Sequence, residues 1–175
     1  DLAQKQKVSL PSSNHGDLKK ILSIGKKRGT LEEYIARFDI TLSVMQTPDA
    51  LKRTAYELIA DAASENIRYI EVRYSPILHT SKGMTLEDAV ISVLNGLKKG
   101  EENFGVKSGI IVCGIRHISP ESSLKLADLC VRYKNKGVVG FDIAADEAGY
   151  SLDNHVDAFN YANENKLNIT AHAGE

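Results

Sequence analysis

The chain has 175 residues, a formal net charge of −1, 42% hydrophobic residues and 26% charged residues. This length leaves room for one domain with a hydrophobic core, and the composition is ordinary for a soluble globular protein. Lysine and arginine residues are scattered and form no basic stripe, which argues against a nucleic-acid partner. No apolar run approaches the roughly 20 residues that span a bilayer, and no signal peptide begins the chain. We therefore expect a cytoplasmic protein that binds neither membranes nor nucleic acids.

The two cysteines, Cys113 and Cys130, are far apart and lie in apolar segments. Such cysteines are typical of reduced core residues in a cytosolic protein, and their spacing fits neither a disulfide framework nor a CxxC metal site.

The N-terminal part of the chain carries a possible lid. Residues 1–6 resemble the last turns of a helix, and the pattern over residues 8–29 predicts a loop. Thr30 and Glu33 then form a capping-box pattern that predicts a helix through residue 45. Apolar residues recur along it at helical spacing: Leu31, Tyr34, Ile35, Phe38, Leu42 and Met45. This stripe fits either ordinary core packing or an apolar lid over a pocket. We treat residues 8–46 as a loop and lid-helix region within a single domain.

Strands and helices alternate over the rest of the chain. Apolar or alternating runs predict strands at residues 67–74, 109–115, 138–144 and 168–172. Helix-start signals separate them: Thr47-Pro48, Thr85 with Asp88, Ser119-Pro120, and Ser151. Successive strand–helix–strand units predict a parallel sheet.

The first predicted strand has two different faces. Ile70, Val72 and Tyr74 suit a layer of helices, whereas Glu71 and Arg73 point to the other side with Tyr69. Two interpretations remain open for these charged residues. They belong either to a polar interior near a site, or to a solvated face or structural ion pair.

The distribution of polar residues distinguishes a barrel from a flat nucleotide-binding sheet. No GxGxxG or Walker motif follows any predicted strand. Polar residues instead collect at the C-terminal strand ends: residues 73–75, 116–117, 142–147 and 172–175. That distribution is typical of (β/α)₈ TIM barrels, which need roughly 250 residues and eight strands. We predict an α/β fold in which residues 1–175 form a partial barrel domain with about four strand–helix units, as in a central fragment.

The last seven residues form the strongest candidate site. A short strand would place Thr170 and His172 on one face, and Gly174 permits a turn before Glu175. A neutral imidazole is a common zinc ligand, and a carboxylate beside a metal-bound water can carry protons. The alternative is a polar strand end with a chance histidine.

Three stretches together resemble signatures of the adenosine deaminase family. They are YIEVRYSP at residues 69–76, DIAADE at residues 142–147 and HAGE at residues 172–175, in the family's order and at compatible spacing. The resemblance implies a (β/α)₈ barrel with one Zn²⁺ per complete barrel. It further implies hydrolysis of adenosine and 2′-deoxyadenosine, small-molecule purine nucleosides, to inosine or 2′-deoxyinosine and ammonia.

The resemblance also implies roles for individual residues. His172 would bind zinc, and Glu175 would carry a proton to the purine N1. Leu31, Tyr34 and Phe38 would belong to an apolar lid over the nucleoside. Ala145 occupies a position where the family usually has glycine and where the backbone N–H meets the purine ring.

The resemblance places the other metal ligands outside this chain. In the family, an HxH pair on the first strand precedes the position of Asp1, and a further catalytic histidine and an aspartate ligand follow the position of Glu175. A catalytic zinc site needs about three protein ligands, so we expect the 175 residues alone to be inactive. The sequence makes no prediction about the oligomeric state.

Three other readings remain. A deaminase acting on adenine, AMP or an N6-substituted nucleotide would use similar chemistry, and a nucleotide enzyme would need cations such as Arg73, Arg116 or His117 near the phosphate. The resemblance implies that the two arginines are structural. The second alternative is a two-metal barrel hydrolase. Members of that class resemble one another in a bridging lysine on the fourth strand, and the matching strand here has Asp142 and no lysine, which makes this alternative less favoured. The third reading is a non-catalytic, degenerate barrel.

Overall fold

The structure, a computed structural model, describes residues 1–23 and 30–174, with the backbone alone at positions 31 and 32. Helices and strands follow one another in the expected alternation. The helices are α1 (Leu2–Gln6), α2 (His15–Leu22), α3 (Leu31–Ile35), α4 (Phe38–Leu42), α5 (Pro48–Ser64), α6 (Leu86–Phe104), α7 (Pro120–Tyr133) and α8 (Val156–Glu164). The strands are β1 (Tyr69–Tyr74), β2 (Lys107–Ile115), β3 (Val138–Ala144) and β4 (Asn168–Ile169).

All four strands run parallel, and their order in the sheet is β1-β2-β3-β4. Each strand therefore pairs with the next one along the chain, as in a (β/α)₈ barrel, and the order never reverses as it does in a doubly wound sheet. The predicted parallel α/β arrangement is confirmed. β4 is shorter than expected, yet the N–H groups of Thr170 and His172 donate to the carbonyls of Phe141 and Ile143. The ladder thus continues to residue 172.

The hydrophobic core lies between one face of the sheet and helices α5 to α8. Phe141 is fully buried on that face, and its ring centroid lies 5.2 Å from that of Phe159 in α8. Helices α5 and α6 approach closely because Gly96 has no side chain: a Cβ there would collide with the carbonyl of Lys52. The other face carries the charged side chains of Arg73 and Asp142 together with apolar side chains of β2 such as Ile111 and Ile115.

The predicted helix starts are confirmed by their caps. Thr47 Oγ1 accepts the N–H of Ala50, and Ser119 Oγ accepts the N–H of Ser122. Thr85 and Asp88 form the reciprocal capping box that the sequence predicts at the start of α6. Ser151 caps a 3₁₀ turn, Leu152–His155, so that α8 begins later than expected, at Val156.

The N-terminal predictions need two corrections. Residues 8–29 were expected to form a loop, yet α2 begins after Asn14, whose side chain accepts the N–H groups of Gly16 and Asp17. An asparagine N-cap stabilises a short helix even where the apolar pattern is weak. Residues 24–29 lie outside the described residues.

The lid helix is also broken into two pieces, α3 and α4. Thr30 Oγ1 accepts the N–H of Glu33 as expected, but the N–H of Arg37 then bonds to the carbonyl of Tyr34, which tightens the chain into a turn. Thr41 donates its hydroxyl to the Phe38 carbonyl, and side-chain bonds of this kind compete with helix bonds and bend helices.

Both cysteines are buried and form no disulfide, as expected. Burial raises the pKa of the Cys130 thiol to about 12, so that this thiol stays protonated at neutral pH. Within residues 1–23 and 30–174, no helix has the length and apolar composition needed to cross a bilayer.

Candidate active site

Four polar side chains from different strands meet on the face of the sheet that the helices leave uncovered. Cα pairing sets Cys113 of β2 opposite Asp142 of β3, and Phe141 faces the helices, so Asp142 points to the opposite side. Arg73, near the end of β1, and His172, beyond β4, reach the same carboxylate. The C-terminal strand ends therefore come together as the sequence predicts.

Asp142 is the centre of this cluster. Its side chain is fully buried, and its Oδ2 atom lies 2.6 Å from Arg73 Nε and 2.9 Å from His172 Nδ1. Cys113 Sγ lies 3.7 Å from the same oxygen. A buried carboxylate needs a cation or strong donors to offset its lost hydration, and Arg73 and His172 supply both. The sequence left open whether Arg73 lies near a site or forms a structural ion pair. The structure confirms an ion pair with Asp142, and this pair is part of the candidate site.

The bond to Asp142 determines which nitrogen of His172 remains available. A carboxylate accepts hydrogen bonds, so Nδ1 carries the proton that it donates, and the neutral ring keeps its lone pair on Nε2. A carboxylate–histidine pair of this kind orients metal-binding imidazoles and makes them more basic. The His172 side chain is 29% exposed, so the ring is partly accessible to solvent. The arrangement fits one ligand of a zinc ion.

The described residues contain no group of three histidine, cysteine, aspartate or glutamate side chains that could together hold a metal ion. His172 is thus a single candidate ligand, whereas a catalytic zinc has about three from the protein. The candidate proton carrier, Glu175, lies outside the described residues.

Two side chains hold the backbone around His172. Arg116, which directly follows β2, donates from Nη2 to the His172 carbonyl at 2.8 Å. Glu147, three residues beyond β3, accepts the N–H of Gly174 at 2.6 Å. Gly174 has a φ of 83°, a conformation that glycine adopts without strain. The sequence predicts Arg116 and Glu147 at strand ends but does not predict these contacts.

A buried histidine that the sequence analysis did not single out supports Arg116. His155 is 1% exposed, its Nε2 lies 3.0 Å from the Arg116 carbonyl, and its Nδ1 lies 2.8 Å from Ser123 Oγ. The carbonyl can only accept, so Nε2 donates and Nδ1 accepts from the serine hydroxyl. A lone histidine between two helical segments offers no sequence signal for this role.

Ala145 is placed directly after β3 with a φ of 81°. This left-handed conformation costs a residue with a Cβ atom roughly 1–2 kcal/mol, which explains why glycine suits the position better. The chain therefore carries backbone strain one residue from β3, at the position that the resemblance associates with the purine ring.

We expect Ala145→Gly to raise the free energy of unfolding by up to about 1 kcal/mol, since relief of the left-handed strain outweighs the extra backbone entropy of glycine. Urea unfolding measures the change. The matched control is Ala60→Gly inside α5, which should lose about 1 kcal/mol because glycine disfavours a helix interior. If Ala145→Gly lowers the free energy of unfolding, the left-handed backbone of Ala145 does not strain the fold.

The candidate lid residues Tyr34 and Phe38 contact each other. Tyr34 and Phe38 pack edge to face with ring centroids 5.0 Å apart, and they are 46% and 44% exposed. They are therefore not core residues, and among the described residues no hydrogen bond or ring contact joins them to His172. For Leu31 only the backbone is described.

Buried polar residues fasten the end of α4 to the loop after β1. Gln46 donates to the carbonyls of Leu42 and Leu78 and accepts from the N–H and hydroxyl of Ser81. His79 Nδ1 lies 2.8 Å from the Met45 carbonyl, and burial lowers the pKa of His79, which favours the neutral ring. The lid region is thus attached at the C-terminal edge of the sheet, where the cluster lies.

Strands paired in chain order, helices on one face and ionisable groups at the C-terminal strand ends of the other face define this chain as a segment of a (β/α)₈ barrel. The chain belongs to the adenosine deaminase family, whose family model, described as "Adenosine deaminase", matches residues 1–175. The resemblance of the three sequence stretches is therefore confirmed.

The chain spans about half the length of most of its relatives. It is 40% identical over 174 residues to an adenosine deaminase of Enterococcus faecalis. The matched region covers 99% of this chain and 51% of that relative. It is similar to a zinc-bound amidohydrolase structure from Burkholderia ambifaria, with a TM-score of 0.87 and 23% identity over 99% of this chain and 47% of the other.

Two further structures differ in what their names say they act on or bind. An adenine deaminase of Arthrobacter aurescens superposes with a TM-score of 0.85 and 26% identity, covering 99% of this chain and 51% of the other. A protein of Arabidopsis named ADAL, in complex with IMP, superposes with a TM-score of 0.81 and 24% identity, covering 99% and 51%. The fold is thus shared by proteins with different purine ligands.

Proposed function

We propose that this chain is part of a zinc-dependent enzyme that hydrolyses adenosine and 2′-deoxyadenosine to inosine or 2′-deoxyinosine and ammonia. The observation that carries the proposal is the 2.9 Å contact between His172 Nδ1 and Asp142 Oδ2, which leaves Nε2 available to a metal. Because the chain spans about half of its relatives, the activity is proposed for the complete barrel, meaning a protein that contains this chain together with the remaining strands.

His172 would hold the zinc through Nε2, and Asp142 would keep the ring in the required tautomer and orientation. A bound zinc would supply a water molecule acidic enough to act as a nucleophile near neutral pH. The residues of this chain fit one position of such a site. The remaining ligands would come from strands outside residues 1–175, and the chain alone would therefore be inactive.

Glu175 would move the proton that the reaction requires. The purine ring must be protonated on a nitrogen while its amino group leaves as ammonia, and a carboxyl group next to the reacting carbon can hold and deliver that proton. Ala145 would direct its backbone N–H to the purine ring, and Leu31, Tyr34 and Phe38 would exclude water above it.

The contacts of the two arginines favour a nucleoside over a nucleotide. Arg73 is paired with Asp142, and Arg116 is 4% exposed with its Nη atoms bonded to the carbonyls of His172 and Tyr150. Binding a phosphate would require these guanidinium groups to break contacts that organise the candidate site. A 5′-phosphate therefore gains little from either arginine.

Steady-state kinetics of the complete barrel with one zinc per chain tests the proposal. We expect adenosine and 2′-deoxyadenosine to be deaminated with kcat/KM values at least about tenfold above those for adenine, AMP and N6-methyl-AMP, a difference of about 1.4 kcal/mol in transition-state stabilisation.

Either of two outcomes would contradict this expectation. A preference for AMP or N6-methyl-AMP would favour a nucleotide deaminase, with the exposed His117, whose ring centroid lies 6.0 Å from that of Tyr150, as the first residue to test for phosphate binding. Absence of turnover from a zinc-loaded, folded barrel would favour the non-catalytic alternative.

A further inference from the structure

The backbone that carries His172 and leads to Glu175 is held from two neighbouring loops. Arg116 lies after β2 and Glu147 after β3, and together they contact both ends of the segment 172–174. Neither side chain is the ligand or the proton carrier that the proposed function assigns. Their contacts are with main-chain atoms, so their effect on chemistry would be exerted through the position of that main chain.

Each contact is of a strong type. Glu147 Oε2 accepts the Gly174 N–H at 2.6 Å, and its Oε1 lies 3.9 Å from Arg116 Nη2. The same Nη2 donates to the His172 carbonyl at 2.8 Å, and Nη1 donates to the Tyr150 carbonyl at 3.2 Å. Hydrogen bonds with a charged partner are about twice as strong as neutral ones. The two side chains thus form one charged bridge across the segment.

The bridge has a rigid base. Arg116 is 4% exposed, and its own carbonyl accepts a hydrogen bond from the buried His155, which is in turn bonded to Ser123 of α7. Arg116 is therefore fixed at both its main chain and its side chain. Glu147, by contrast, is one-third exposed and can be substituted without opening the core.

We propose that Arg116 and Glu147 are positioning residues that fix the turn between His172 and Glu175 for catalysis. This inference rests on the proposed function. Gly174 has no side chain to restrict its backbone, so its N–H bond to Glu147 limits movement directly before the candidate proton carrier. A displacement of about 1 Å of a catalytic group can reduce the rate 10²-fold, so this restriction has a catalytic consequence.

The test compares Glu147→Ala with Glu147→Gln in the complete barrel. We expect Glu147→Ala to lower kcat for adenosine about tenfold while KM and zinc content stay near those of the unmodified protein, because the lost bond is to neither substrate nor metal. Glu147→Gln keeps an oxygen that can accept the Gly174 N–H, so it should recover most of kcat. Amide hydrogen exchange at Gly174 should quicken in the alanine variant and slow again in the glutamine variant.

Glu101→Ala is the matched control. Glu101 Oε1 accepts the Ser108 backbone N–H at 2.7 Å and its Oε2 pairs with Lys107 at 3.6 Å, but at the N-terminal end of β2, away from the site. Glu101→Ala removes a carboxylate that, like Glu147, joins a backbone N–H to a cationic side chain. Because this contact lies away from the site, kcat should be unchanged. Equal losses of kcat in the Glu101 and Glu147 alanine variants would overturn the proposal, as would a Glu147→Ala variant that keeps kcat within twofold or changes only KM.

Failure of the proposed function can be told apart from failure of this inference. If the unmodified complete barrel does not deaminate adenosine, the proposed function fails. The amide exchange rate at Gly174 then tests by itself whether Glu147 fixes the turn. At least about tenfold faster exchange in Glu147→Ala than in Glu101→Ala would support a fixed turn, since loss of a charged hydrogen bond exposes the amide. Equal exchange rates would overturn it.

Discussion

Glu175→Gln in the complete barrel is expected to lower kcat for adenosine by about 10²- to 10⁴-fold, the usual contribution of a positioned general acid or base. Glutamine has nearly the same size and shape as glutamate, but its amide cannot take up and release the proton that the purine ring requires. The substitution also leaves His172 and its bond to Asp142 in place, so zinc content should remain at about one per barrel. Turnover and zinc are therefore measured on the same sample.

Glu164→Gln is the control for this substitution. Glu164 is exposed at the end of α8, and the same loss of one negative charge there should leave both kcat and zinc content unchanged. Full activity in Glu175→Gln would show that another group carries the proton. Loss of zinc together with activity would instead indicate that Glu175 contributes to the metal site.

The parallel fold could be predicted from the sequence because its signals are local. Capping residues such as Thr85 with Asp88 mark helix starts, and the apolar run of β2 marks a strand covered by helices. The N-terminal region was predicted less well. α2 depends on the side chain of Asn14, and the break between α3 and α4 depends on main-chain and hydroxyl bonds that leave no apolar period.

The edge of the sheet where the polar side chains meet could be predicted from the sequence, but the contacts among them could not. Polar residues at C-terminal strand ends indicate where a site lies, and the resemblance of the HAGE stretch supplies the prediction that His172 binds zinc. Arg73 and His172 contact the same oxygen of Asp142 although they are 99 residues apart in the sequence. Their meeting depends on the register of three strands, which no local sequence signal specifies. Likewise, His155 supports Arg116 through a contact between residues 39 apart.

Asp142→Asn is expected to weaken zinc binding by the complete barrel about 10- to 100-fold, the usual effect of removing a carboxylate that orients a histidine ligand. The neutral amide can still accept the bond from Nδ1, but it does not make the imidazole more basic. Arg73, which is 39% exposed, can regain water when its partner loses its charge, so the protein should remain folded. Competition with a zinc-binding chromophore measures the affinity, and circular dichroism checks the fold.

Two further variants identify the cause of a loss. Asp128→Asn removes a half-exposed carboxylate that bonds Arg132 and Tyr161, and it should leave zinc affinity unchanged. Arg73→Gln removes the cation but keeps the contact between Asp142 and His172, so it should affect stability more than zinc affinity. If Asp142→Asn binds zinc as tightly as the unmodified protein, Asp142 is a structural partner of Arg73 and the orientation of His172 must come from its backbone. If Asp142→Asn alone loses affinity, one buried carboxylate both joins β1 to β3 and prepares His172 to bind the metal.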